Sequence, residues 1–273
     1  MGHGIAQVGA MAGYEVVLYD VDDTALEKAV ARIRANLDKG VKLGKVETSV
    51  RERALAGLTT TTDLETAAAG SGLIIEAAPE KLDLKQEIFA ELDRLAPGDA
   101  VLATNTSSLS VTRLAAATER PTQVLGMHFF NPVHIMKLLE IVRTGYTSKS
   151  AIASARTVGE AMGKTCIVVK DAPGFASSRL GLILGMEAIR MLEEGVASVE
   201  DIDTAMELGY GHPMGPFRLA DLIGLDVRLH IAEYMYNETG EERWRPSDLL
   251  KRMVADGKLG KKTGEGFYRW DND

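Results

Sequence analysis

Two residues near the middle of the chain have the types and spacing that proton transfer requires. His128 lies in an apolar run, Val124–Phe129, that leads into Phe130-Asn131-Pro132, and Glu140 lies in the next apolar run, Leu138–Val142. Histidine titrates at about pH 6.5, so it can take and return a proton near neutrality. If both runs are strands of one sheet, pairing them brings Glu140 towards His128. A carboxylate there would fix the imidazole tautomer and stabilise its protonated form. A histidine beside aromatic residues also reads as a satisfied core residue. Glu140 is harder to read that way, because an unpaired carboxylate inside an apolar strand is costly to bury.

The amino end carries a second chemical feature. Met1-Gly2-His3-Gly4 opens an Ala/Gly-rich helical stretch, and Tyr14-Glu15-Val16-Val17-Leu18-Tyr19-Asp20 follows it. A small-residue helix running into a strand that ends in an acid is the second part of a dinucleotide-binding unit, where the acid bonds the adenosine ribose hydroxyls. In that reading Asp20 selects NAD over NADP by repelling a 2′-phosphate. An acid at a strand end also reads as an ordinary turn residue. Gly2 takes the place of the third glycine of G-x-G-x-x-G, the one that permits close helix–strand packing. The first strand and the leading glycines are expected before Met1, roughly ten residues by the usual length of a strand and its turn. A sheet without that central strand is expected to leave unpaired ladder groups and an open core.

These residues need a scaffold, and the pattern of the chain supplies one. Strands are expected at Glu15–Tyr19, Leu73–Glu76, Ala100–Thr104, Val124–Phe129, Leu138–Val142 and Thr165–Val169, with helices between them such as Thr24–Leu37 and Lys81–Leu95. Such alternation builds a parallel sheet joined by crossover helices. After Lys170-Asp171-Ala172-Pro173-Gly174 the strands cease. Helices then follow with clear punctuation: Ser177–Glu194 stops at Gly195, Ser198 caps a helix ending at Gly209, Pro216 opens another, and Ser247 caps one ending at Gly257. The fold class expected is α/β, a Rossmann-type, mostly parallel sheet domain over 1–170 that lacks its first strand, then an all-helical domain over 171–273 for substrate and dimerisation.

Composition narrows the partners. The 273 residues are 45% hydrophobic and 26% charged, as in an ordinary folded protein, and the net charge is −8 with the basic residues scattered. That disfavours nucleic acid, which needs concentrated positive charge. Anionic small ligands stay open, because helix N-termini and placed lysines act locally. Cys166 is the one cysteine, so no intrachain disulfide forms and a reducing compartment is expected. No apolar stretch suits a bilayer, so no membrane partner and a cytoplasmic location are expected. Leu182, Ile183, Met186, Ile189, Met191 and Leu192 cover most of one helix, which points to burial on more than one side and, alongside packing on the first domain, to a homodimer.

Several longer segments carry a family likeness. They are Glu76-Ala77-Ala78-Pro79-Glu80; Asn105-Thr106-Ser107-Ser108-Leu109-Ser110; Gly126-Met127-His128-Phe129-Phe130-Asn131-Pro132; Met136-Lys137-Leu138-Leu139-Glu140; Asp171-Ala172-Pro173-Gly174-Phe175; Tyr210-Gly211-His212-Pro213-Met214-Gly215-Pro216; and Gly260-Lys261-Lys262-Thr263-Gly264-Glu265-Gly266-Phe267-Tyr268. In this order and spacing the chain resembles the L-3-hydroxyacyl-CoA dehydrogenases, including bacterial 3-hydroxybutyryl-CoA dehydrogenases. The resemblance implies reversible, NAD-dependent oxidation of L-3-hydroxyacyl-CoA to 3-ketoacyl-CoA, with short acyl chains favoured, and no metal.

By the same resemblance His128 is the catalytic base oriented by Glu140, and Ser107 bonds the substrate's 3-oxygen near the nicotinamide. Asn131 helps hold the cofactor, and Glu80, Lys85 and Lys262 match positions that contact NAD. Where the family often places an Asn in the substrate site this chain has Ser178, which donates and accepts from a shorter side chain. Lys39, Lys42 and Lys45 offer a surface for the CoA phosphates and also read as a solvated helix face. Two rivals remain: a related dehydrogenase of free hydroxy or sugar acids, and a non-catalytic, crystallin-like relative.

Overall fold

The computed structural model describes residues 1–270. The last three residues of the expected second domain, 271–273, lie outside the described residues. Contacts divide the chain into two units, Met1–Asp171 and Ala172–Asp273.

Unit 1 is α/β. Its elements in order are α1 (Gly2–Met11), β1 (Val16–Tyr19), α2 (Asp23–Lys42), α3 (Thr48–Ala56), β2 (Leu58–Thr61), α4 (Leu64–Ala68), β3 (Leu73–Glu76), α5 (Leu82–Leu95), β4 (Val101–Thr104), α6 (Val111–Ala115), β5 (Val124–Phe129), β6 (Leu138–Arg143), α7 (Lys149–Ala161) and β7 (Thr165–Lys170). The strands form two sheets. One holds β1 and β2 in parallel; the other has the order β3-β4-β5-β6-β7, parallel except for the antiparallel β5–β6 pair. β2 escapes a reading by hydrophobic pattern because Leu58-Thr59-Thr60-Thr61 has one apolar residue and no alternation.

The split between the sheets falls between β1 and β3. α1 packs on both sides of it. Ile5 and Val8 join the core of the five-stranded sheet with Val101, Leu125, Met127, Leu139 and Ile141, whereas Ala6 and Ala10 join Ile33, Leu37 and Ala54 over β1 and β2. The close approach expected of Gly2 lies elsewhere on this helix. A Cβ at Gly2 would make ordinary contacts of 3.9 Å with Ala77 and Leu18, but one at Gly4 would meet Val133 at 3.0 Å and one at Gly9 would meet Val16 at 3.3 Å. Helix–strand packing is therefore tightest at Gly9, two turns further along the same face, rather than at Gly2.

Unit 2 is helical: α8 (Ser177–Glu193), α9 (Val199–Tyr210), α10 (Pro216–Ile223), α11 (Leu225–Thr239) and α12 (Asp248–Ala255). The apolar circumference of α8 is absorbed inside the unit. Leu182 and Met186 pack with Ala232, Met235 and Trp244, and Ile189 packs with Ile202, Phe217, Leu225 and Leu250 on the other side. Ile183, Met191 and Leu192 lie against the same clusters, so the six residues that suggested a second subunit are covered by their own unit.

Two buried carboxylates tie unit 2 together and explain two of the motifs. Gly215 gives α10 no side-chain cap, and Asp203 of α9 supplies it instead, accepting from Phe217 N at 2.8 Å and Arg218 N at 3.0 Å. Asp221 of α10 accepts from Phe267 N, Tyr268 N and Trp270 Nε1, each at 2.9 Å, and so gathers the carboxy-terminal loop. Any Cβ at Gly260 or Gly266 would overlap Asp221, which accounts for glycine at both places. Asp221→Asn turns part of this acceptor into a donor facing donors. We expect a loss of about 3 kcal/mol, or roughly 10 °C in the thermal midpoint followed by circular dichroism.

Candidate functional site

The antiparallel register of β5 and β6 sets His128 directly opposite Glu140. His128 Nδ1 lies 2.7 Å from Glu140 Oε2, and both side chains are buried. The pairing expected from two adjacent apolar strands is therefore present, and the costly buried carboxylate has its partner. The Phe130 ring packs against the imidazole at a centroid distance of 4.5 Å. With Nδ1 donating to the carboxylate, Nε2 carries the lone pair, which is the arrangement a general base needs.

The loop after β4 lies beside this pair. Asn105 Oδ1 accepts from Phe129 N at 2.9 Å, fixing the loop to the strand residue that follows His128. Ser107 follows two residues later. Its backbone N–H donates to Glu80 Oε1 at 3.0 Å, and Thr106 Oγ1 donates to the same oxygen at 2.5 Å. Burial works to raise the Glu80 pKa, but the Thr106 hydroxyl, the Lys85 charge and the Ser107 amide outweigh it and hold the carboxyl below its ordinary value. Glu80, Ser107, His128 and Glu140 thus belong to one connected region of unit 1. Asn131 is exposed in the loop just after β5.

Lys85 matches a position expected to contact NAD. It is buried, its Nζ donating to Glu76 Oε1 at 2.7 Å and to Ala78 O at 3.2 Å, with Glu80 Oε2 at 3.4 Å. An ammonium has three N–H groups, and these three acceptors face them. Glu76 itself went unassigned in the sequence. The signal was there, since Leu73-Ile74-Ile75-Glu76 buries a carboxylate in an apolar strand just as Leu138–Val142 does.

At the amino end, Asp20 sits exposed just beyond the carboxyl end of β1, one oxygen accepting from Asp22 N at 3.1 Å. Helix α1 has no side-chain N-cap and no acid in its first turn, so its leading N–H groups are open to an anion. An uncapped helix N-terminus beside an acid at a strand end fits the diphosphate and ribose of NAD. Gly2 is the first residue of that helix.

Ser178 and Lys262 belong to unit 2. Ser178 is half-buried in the first turn of α8. The Lys262 ammonium meets both oxygens of Asp226, at 2.5 and 2.6 Å. Lys39, Lys42 and Lys45 are exposed; the first two lie in the last turn of α2, where a cation also complements the helix dipole. Among the described residues no helix is long and apolar enough to cross a membrane, and no three His, Cys, Asp or Glu side chains gather as a metal site.

Comparison with known proteins places the chain in a family. Residues 1–172 match the model of the 3-hydroxyacyl-CoA dehydrogenase NAD-binding domain, and residues 174–270 match that of the 3-hydroxyacyl-CoA dehydrogenase C-terminal domain. A probable 3-hydroxybutyryl-CoA dehydrogenase of Bacillus subtilis is 44% identical over 272 residues, covering 99% of this chain and 94% of that protein. The human mitochondrial hydroxyacyl-coenzyme A dehydrogenase is 43% identical, covering 99% of this chain and 88% of its own length. The crystal structure of (S)-3-hydroxybutyryl-CoA dehydrogenase from Ralstonia eutropha superposes with a TM-score of 0.95 at 41% identity, covering 100% of this chain and 96% of that one. With both domain models matched in order and relatives alike over almost their whole length, the chain belongs to the 3-hydroxyacyl-CoA dehydrogenase family.

Proposed function

We propose that the chain catalyses the reversible oxidation of L-3-hydroxyacyl-CoA to 3-ketoacyl-CoA, with short acyl chains such as 3-hydroxybutyryl preferred. The observation that carries this reading is the buried His128–Glu140 pair at 2.7 Å. His128 Nε2 takes the 3-hydroxyl proton, and Glu140 supports the imidazolium that results. Bound NAD supplies the hydride acceptor. Ser107 donates to the substrate's 3-oxygen, and Ser178 contributes a second hydroxyl from α8. Asp20, Gly2 and Asn131 hold the cofactor with Glu80 and Lys262, and Asp20 selects NAD over NADP. The preference for short chains rests on the names of the relatives.

Purified protein should consume NADH in the presence of acetoacetyl-CoA. Activity confined to free 3-keto acids, or none on thioesters from four to sixteen carbons, would overturn the reading; free acids belong in the same assay because the His/Glu pair does not itself require CoA.

The chain also acts as a homodimer through unit 2. Support comes from α8 and α11. Leu180 is 63% exposed and Leu184 44%, one helical turn apart, and Val227 is 39% exposed on α11. Gly181 O accepts from Arg228 Nη1 at 2.6 Å, which sets this turn of α8 beside the start of α11. Arg228 is buried, with Nε and Nη2 lacking partners among the described residues, so an acceptor from a second copy would relieve a costly desolvation. Leu180→Glu should convert the dimer to monomer in sedimentation velocity. An unchanged sedimentation coefficient would exclude this surface.

A further inference from the structure

Three ionisable side chains meet beneath the β4–α6 loop of unit 1. Glu76 closes β3 and is buried: Oε1 accepts from Lys85 Nζ at 2.7 Å and Ala78 N at 2.5 Å, and Oε2 accepts from Thr104 Oγ1 at 2.7 Å. Asn105 N donates to the Glu76 carbonyl at 2.8 Å, so side chain and backbone both bind the end of β3 to the start of the loop. Lys85 on α5 lies 3.4 Å from Glu80 Oε2. Glu80 Oε1 then receives the Thr106 hydroxyl and the Ser107 amide, with the Ser108 hydroxyl at 3.3 Å. A carboxylate, an ammonium and a second carboxylate therefore run in series from a strand end to Ser107.

We propose that Glu76 and Lys85 are positioning residues, anchoring Glu80 so that its carboxylate holds the Thr106–Ser107 segment, and with it the Ser107 hydroxyl, in place. This deepens the function proposed above and rests on its reading of Ser107 as the donor to the substrate oxygen. A lysine that touched the cofactor directly would need to give up one of the three acceptors facing it. Glu80 needs the help because it is a carboxylate at a partly buried loop. The charged group facing it is Lys85, from α5; the β4–α6 loop offers hydroxyls and an amide, and Glu76 stands on the far side of Lys85. Only an ionised Glu80 accepts on every lone pair. Without the Lys85 charge, burial drives its carboxyl upward, and the acceptor present at high pH is lost as pH falls through the raised value.

The test compares Lys85→Met, Lys85→Arg and Lys85→Met/Glu80→Gln with the parent chain. In Lys85→Met, the kcat/KM ratio to wild type should fall as pH is lowered from about 8 to about 5, because protonation of Glu80 begins at a higher pH than in the parent chain. Hydrogen exchange at the Thr106–Leu109 amides, read against wild type at each pH, should speed up over the same range. Lys85→Arg keeps the charge and should restore both readouts to within about threefold. The Glu80→Gln background should abolish the pH dependence, since nothing then titrates.

A flat ratio with unchanged exchange overturns the proposal, and so does a pH dependence that survives Glu80→Gln. Exchange needs no substrate, so a wild-type chain inert on every thioester defeats the functional reading while the exchange result still decides this one. If Lys85→Met does not fold, the charge-balanced Glu76→Gln/Lys85→Met variant takes its place in both measurements.

Discussion

His128→Gln is expected to lower kcat for 3-hydroxybutyryl-CoA oxidation by about 10³-fold, with KM changed by less than about threefold. A positioned general base contributes roughly 10²–10⁴ in rate, and the upper part of that range suits a base whose tautomer is already fixed by a buried partner. The geometry is specific about why. Nδ1 is committed to Glu140 at 2.7 Å, so the other ring nitrogen is the one that takes the hydroxyl proton. Glutamine is close in volume and neutral, so the β5–β6 pairing that sets residue 128 opposite 140 should persist. A thousandfold loss corresponds to about 4 kcal/mol of transition-state stabilisation. Steady-state assays in both directions check it, and a loss of less than tenfold would remove His128 from the chemistry.

The parts of the site that were legible in the sequence are those governed by strand pairing. Apolar runs of six and five residues, each with one ionisable group, demand a partner for the buried carboxylate, and neighbouring strands supply it. Leu73–Glu76 and Val124–Phe129 appear as expected, and β1, β4, β6 and β7 differ from expectation by a residue at an end. What escaped was set by tertiary contact. β2 is held by its parallel register with β1, from Val16 opposite Leu58 to Tyr19 opposite Thr61, and not by any hydrophobic pattern of its own.

Lys85 shows the same limit at the level of one side chain. Its position in the sequence is that of a surface lysine near a cofactor, but α5 turns it inward onto Glu76, and only the fold reveals which way it faces. Gly260 and Gly266 likewise read as a family motif, and their physical reason, the carboxylate of Asp221 filling the space where a Cβ would be, appears only once α10 and the terminal loop are packed together. The six apolar residues of α8 meet the same limit: pattern gives how much of a helix is buried, not by what.

Glu140→Gln is expected to lower kcat by about 10²–10³-fold, and its interaction with His128→Gln tells how it acts. An amide can turn its NH₂ towards Nδ1, which leaves the ring proton on Nε2, the nitrogen that must accept. Even with its carbonyl towards Nδ1, the amide offers no charge to the imidazolium that forms, in surroundings where Glu140 is fully buried and charge is poorly screened. If Glu140 works only through His128, removing it from an enzyme that already lacks His128 changes nothing further. The double variant should then match His128→Gln to within about threefold rather than show the product of the two losses, because residues acting as one unit are not additive. Full multiplicative losses would mean that Glu140 has a separate catalytic effect, and thermal melts of all three variants separate either outcome from simple unfolding.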